Sequence, residues 1–114
     1  MPFDALPENV VSDLVRLKVA LDLISNKRRW YAGSVGHRGE ERHCAVGWVL
    51  RACEWDKAAA MKLVTDYLYP SLPAKAQKEK SRGRVWSVSD YNDNNSHEAI
   101  VKVFEDAVLL AEAV

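Results

Sequence analysis

The residues best suited to chemistry in this chain are Cys44, His97 and Asp93. Apolar patterning after residue 42 places Cys44 in the first turn of a helix, where unsatisfied amides and the partial positive charge of the helix N-terminus favour a thiolate. A thiolate nucleophile needs a base, and the base needs an orienting partner, the division of labour of a cysteine hydrolase. His97 or His43 is the candidate base and Asp93 or Asn92 the candidate orienter. Geometry weighs against this set. His43 adjoins Cys44, so its side chain points elsewhere, and His97 reaches the thiol only if the last helix begins beside the helix of Cys44. Nothing local signals an oxyanion hole or a substrate pocket. The favoured reading makes Cys44 a buried thiol packed against Gly47 and Trp30, because unbridged cysteine is among the most buried residue types.

The pair Asn92-Asp93 has the same two readings. It could offer polar groups to a ligand, but such pairs more often cap a helix and tie a turn through side-chain to backbone hydrogen bonds. A metal centre is not expected. Cys44, His37, His43 and His97 lack ligand spacings such as C-x-x-C or H-x-x-x-H, and Cys53 lies on another face of its helix. No cofactor is implied.

Lys27-Arg28-Arg29-Trp30-Tyr31 interleaves cations with aromatics, and residues 75–84 add Lys75, Lys78, Lys80, Arg82 and Arg84. Phosphate contacts and base stacking could follow from that combination. Nucleic-acid binding is nevertheless not favoured, because there is no helix-turn-helix or zinc-finger signature and the formal net charge is +0. The neutral total hides a dipole. Asp90, Asp93, Glu98, Glu105, Asp106 and Glu112 make the last quarter acidic, which can steer a partner or simply be solvated surface.

These residues must be held by helices. Val10, Leu14, Leu17, Leu21 and Ile24 recur at spacings of three and four, predicting an amphipathic helix over 7–26 with a basic final turn at 27–30. Residues 32–42 carry three glycines and read as a loop or a ragged hairpin. A second helix over 43–54 is apolar around most of its circumference and so central, with Gly47 costing about 1 kcal/mol relative to Ala unless another backbone approaches closely. Asp56 caps a third helix that Pro70 stops. Residues 74–80 suit a short polar helix. Arg84-Val85-Trp86-Ser87-Val88-Ser89 reads as a short strand or an irregular run clamped by Trp86, and residues 92–95 as a turn. Asn95 and Glu98 then form a capping-box variant for a last helix bearing Ile100, Phe104, Ala107, Ala111 and Val114, with Glu98 and Lys102 paired.

Trp30, the glycine-rich loop, Cys44-Ala45-Val46-Gly47 and Asp90-Tyr91-Asn92-Asp93 ahead of an amphipathic terminal helix together resemble a bacterial and phage domain-of-unknown-function family. That family is marked by a tryptophan, a Cys-Ala-x-Gly helix start and an aromatic-Asn-Asp turn. The likeness covers about residues 14–111. It departs at Trp48, where the family carries a small residue, and at Tyr91, where it carries tryptophan. The resemblance implies a shared small fold, with Trp30, Cys44, Gly47, Asn92 and Asp93 as a structural or functional cluster, and it brings no established activity.

The 114 residues, with 48% apolar and 28% charged, suit one globular domain over 1–114. On one helix Cys44 and Cys53 would stand about 13 Å apart, too far for a disulfide. Reduced thiols and an N-terminus without a secretory pattern point to the cytoplasm. No apolar run approaches the roughly 20 residues of a membrane span. The expected fold is mainly α, a four-helix bundle or orthogonal array with room for a small two-stranded element. The expected function is non-enzymatic, acting through protein contacts with an unknown partner or with itself, since four Trp and four Tyr in so small a chain leave aromatics for an interface.

Overall fold

Three-and-four spacing along α1 (Glu8–Ile24) puts Leu17, Ala20 and Ile24 on one fully buried stripe. The computed structural model describes residues 8–32, 42–77 and 83–113, with side chains from Ser12 onward. His37, most of the expected loop at 32–42, residues 78–82 and Val114 lie outside the described residues. Against the α1 stripe pack α2 (Ala45–Ala52) and the last helix, α5 (His97–Glu112). The last helix runs back along α1, since His97 at its start meets Ile24 at the end of α1 and Glu112 at its end meets Lys18 further back in α1. It contributes Ile100, Val103, Phe104, Ala107, Val108 and Ala111 to the core. Each of the larger side chains adds about 1.5–3 kcal/mol by leaving water.

Ala45 to Val49 of α2 are five consecutive buried residues, so this helix is enclosed on all sides as its apolar circumference predicts. It begins later than expected. His43 is extended rather than helical, because its N–H donates to Arg29 O at 2.8 Å and its carbonyl accepts from Tyr31 N at 3.0 Å. Cys44 is therefore the N-cap of α2, not a residue of its first turn. The anticipated two-stranded element reduces to this single parallel bridge between Trp30 and His43, with no strand among the described residues.

The link from α2 to α3 (Lys57–Leu63) is a tight left-handed turn. Glu54 and Trp55 hold φ of 54° and 65°, a region that disfavours side chains bearing Cβ. Trp55 N–H donates to Leu50 O at 2.7 Å, which satisfies one of the last carbonyls of α2. Asp56 then caps α3 as expected, its Oδ1 accepting from Ala59 N. Pro70 does not simply stop this helix. The backbone widens into a π-helical turn over Val64–Leu68, with Tyr69 N–H reaching Val64 O, and tightens into a 3-10 turn over Tyr69–Ser71 that accommodates the proline. The widening lets Val64, Tyr67, Leu68 and Tyr69 all turn inward. A further 3-10 turn covers Ala74–Ala76.

The expectation for residues 84–95 is corrected. Arg84–Asn94 is a helix, α4, neither a strand nor a turn, which makes five α-helices among the described residues. Gly83 precedes it at φ 94° and Ser87 Oγ donates to Gly83 O. Asparagine-rich sequence closes the helix instead of preventing it: Asn94 and Asn95 donate side-chain N–H groups to Asp90 O and Tyr91 O, both at 2.9 Å, covering carbonyls that would otherwise lack partners. The cap of α5 also shifts by one residue, to Ser96, whose Oγ accepts from Ala99 N. Lys102 pairs at 2.6 Å with Asp106, one turn after it, instead of with the expected Glu98, one turn before it.

Candidate functional site

Asn92 lies on the buried side of α4 beside Val88 and is fully enclosed at 0% exposure. An amide so placed must find every partner inside the protein. Its Oδ1 accepts from Trp30 Nε1 at 2.7 Å and from Ala45 N at 3.0 Å. Its Nδ2 donates to Tyr31 O at 3.1 Å and to Asp93 Oδ1 at 3.2 Å. Two lone pairs and two N–H groups are thereby all used. The side chain joins α4, the segment leaving α1 and the first turn of α2, and it serves α2 as a cap from a distance of 47 residues in sequence.

The structure therefore brings Trp30, Asn92 and Asp93 into one hydrogen-bonded knot at the start of α2. Cys44 is the residue immediately before the amide that Asn92 accepts, at 2% exposure, and Gly47 is buried one turn further along α2. His97 is engaged elsewhere. Its Nε2 is 2.7 Å from Ile24 O, and because a carbonyl only accepts, that nitrogen carries the proton. The imidazole thus closes the C-terminal end of α1 while its ring lies 5.7 Å from that of Trp30. Asp93 is exposed and its carboxylate faces the Asn92 amide. His43 is buried between two indoles, with ring centroids 4.5 Å from Trp48 and 5.6 Å from Trp55, both edge-on.

Two groupings escape sequence reasoning. The first is Asp13, nearly buried on α1, which accepts from Tyr67 Oη at 3.1 Å and from Lys62 Nζ at 3.3 Å. Its signal was available, since Asp13 stands four residues before Leu17 on the apolar stripe. Burial, then the hydrogen bond to Asp13, pushes the Tyr67 hydroxyl pKa up. For Lys62 burial opposes the charge, yet hydrogen bonds to Asp66 and Asp13 prevail and raise it. Nearby, burial pushes the Cys53 thiol up and Arg16 offsets part of that rise.

The second grouping is a cleft of about 450 Å³ lined by Leu23, Asn26, Arg28, Arg29, Trp48 and Arg51. Arg28 and Arg29 belong to the 3-10 turn Lys27–Arg29, which Asn26 caps by accepting from Arg28 N at 3.0 Å. Arg51 comes from the last turn of α2. Trp48 Nε1 donates to Arg29 O at 2.7 Å and locks the turn onto the helix. Other cations meet aromatic faces, with Arg42 over Tyr31 at 5.7 Å and Arg84 over Tyr69 at 5.1 Å. Among the described residues no three His, Cys, Asp or Glu side chains gather to hold a metal, and no helix is long and apolar enough to cross a membrane.

No family model, curated protein or solved structure matches this chain.

Proposed function

We propose that this protein works by binding, through self-association on the seam between α1 and α5. The reading is supported by exposed aliphatic side chains on the two helices. Val15 is 55% and Val19 44% exposed on α1, and Leu109 is 61% exposed on α5. Val15 shares its helix face with Lys18 and Asp22, one and two turns on, and Leu109 shares its face with Glu105 and Glu112. The Lys18–Glu112 ion pair, with Lys18, Asp22, Val101 and Glu105 lining one shallow cleft, shows that these faces adjoin. Leu109 lies one turn before Glu112, and Val15 and Val19 lie on either side of Lys18, so the ion pair brings the two aliphatic sets to the same stretch of the seam.

A second copy of the chain is the occupant that the charge pattern suits. The seam bears Lys18 beside Asp22 and Glu105, and a two-fold arrangement can set the cation of one copy, exchanged from its own Glu112, against those acids of the other around the aliphatic centre. Two buried thiols outside any disulfide fit a reducing compartment, and we assign the protein to the cytoplasm. The likeness to a bacterial and phage domain family is kept as part of this proposal.

Sedimentation equilibrium across micromolar to millimolar concentration tests the reading. A dimer that Val15→Glu or Leu109→Glu converts to a folded monomer is the expected result. A wild-type chain that stays monomeric throughout overturns it.

A further inference from the structure

We infer that the cleft between the Lys27–Arg29 turn and α2 is a binding site for a phosphate ester of nucleotide size. Three guanidinium side chains, Arg28, Arg29 and Arg51, line one concave volume although Arg51 is more than twenty residues from the other two. No carboxylate lines it among the described residues, and none of the three arginines is in an ion pair there. The three arginines are solvent-exposed, so water and salt screen their mutual repulsion, and an anion placed among them turns that weak repulsion into attraction. Arginine is also the cation whose planar fork matches two phosphate oxygens at once, which lysine cannot do.

The rest of the lining narrows the ligand. Asn26 already uses its Oδ1 on Arg28 N–H, so its remaining polar group is a donor NH₂, again suited to an acceptor-rich guest. Leu23, half-buried, offers apolar surface, while Trp48, 5% exposed and with its N–H spent on Arg29 O, closes the floor of the cleft. Cationic walls and an apolar portion within about 450 Å³ fall in the size range of small-molecule sites and exceed the needs of a bare inorganic ion. A phosphate carried on a small organic group satisfies both parts. Such a phosphate comes either from a free mononucleotide or from the phosphorylated end of a strand. The site uses residues separate from Val15, Val19 and Leu109, so it stands or falls independently of self-association.

The test is calorimetric titration of the full chain with adenosine monophosphate, adenosine, inorganic phosphate, and a short oligonucleotide with and without a 5′-phosphate, at low and physiological salt. Binding of the monophosphate, at least about tenfold weaker in Arg51→Gln and unchanged in Lys102→Gln, which removes a cation of α5 outside the cleft, is expected. Thermal melts verify that both variants fold. Preference for the phosphorylated oligonucleotide over the monophosphate, with the same dependence on Arg51, supports the site and assigns its phosphate to a strand end. Equal losses in Arg51→Gln and Lys102→Gln, adenosine binding as well as the monophosphate, or no heat at millimolar monophosphate each overturn the proposal.

Discussion

The Trp30 indole donates its N–H to Asn92 Oδ1 at 2.7 Å across 62 residues of sequence. That bond fastens the exit of α1 to α4, and the same oxygen holds the first amide of α2. A small helical protein with short helices gains little from local propensity alone, so tertiary ties of this kind decide whether its parts keep one arrangement.

Replacing Asn92 with Ala strands the Trp30 N–H, the Ala45 N–H and the Tyr31 carbonyl. A loss of about 2–4 kcal/mol in urea unfolding is expected. Trp30→Phe leaves Oδ1 with its Ala45 partner and costs less, about 1 kcal/mol from the hydrogen bond. Asn92→Asp turns two donors into an acceptor facing Tyr31 O and Asp93, so its deficit is larger at pH 7 than at pH 4, where a protonated carboxyl donates again. An Asn92→Ala protein as stable as wild type refutes the role given to this amide.

Cys44 and Cys53 are both about 2% exposed. Modification by a thiol reagent at neutral pH is therefore expected to follow opening of the fold, at a rate about a hundredfold below that of an exposed thiol and rising in step with added denaturant. Fast native-state modification of Cys44, lost in His97→Gln as well as in His97→Ala while both variants stay folded, revives the nucleophile reading, because glutamine can keep a hydrogen bond but cannot act as the base.

Stability is expected to fall at alkaline pH. The pKa values of Cys53, Tyr67 and Lys62 are all raised above their ordinary values of 9.0, 10.0 and 10.5. The folded state therefore keeps these protons at a pH where the unfolded chain has released them. Their stabilisation is complete below about pH 9 and is lost as pH climbs through the raised values, Cys53 first; Lys62, largely exposed, contributes least. Chemical denaturation between pH 7 and 11 should show the decline, and Tyr67→Phe and Cys53→Ala should flatten it. A wild-type stability that is level to pH 11 contradicts the sign.

Glu54 is exposed and holds a left-handed backbone at φ 54°. Glycine adopts that conformation without the Cβ clash, so Glu54→Gly is expected to stabilise the fold by up to about 1 kcal/mol, a rise of a few degrees in Tm. A lower Tm shows that the entropy glycine adds to the unfolded chain outweighs the relieved strain.

Three helices of this fold are legible without coordinates because their signals are local. The stripe of α1, the Asp56 cap of α3 and the stripe of α5 depend only on residues within a few turns of one another. The central position of α2 follows from its apolar circumference for the same reason. Trp30, Asn92 and Asp93 stand in short sequence motifs, but that they share one set of hydrogen bonds is not legible there, since it turns on which amide oxygen meets which N–H.

Tertiary structure decided the rest. Ser87, Ser89 and the asparagines of 84–95 have weak helical propensity, and α4 forms there because Val88 and Asn92 are buried against the core and Asn92 finds its partners on α2 and beyond α1. The start of α2 moved to Ala45 because Arg29 and Tyr31 claim the backbone of His43. Arg51 met Arg28 and Arg29 only when α2 docked against the end of α1. Periodicity determines which face of a helix avoids water; which faces meet, and so which distant side chains share a bond or a cleft, is set by packing among elements far apart along the chain.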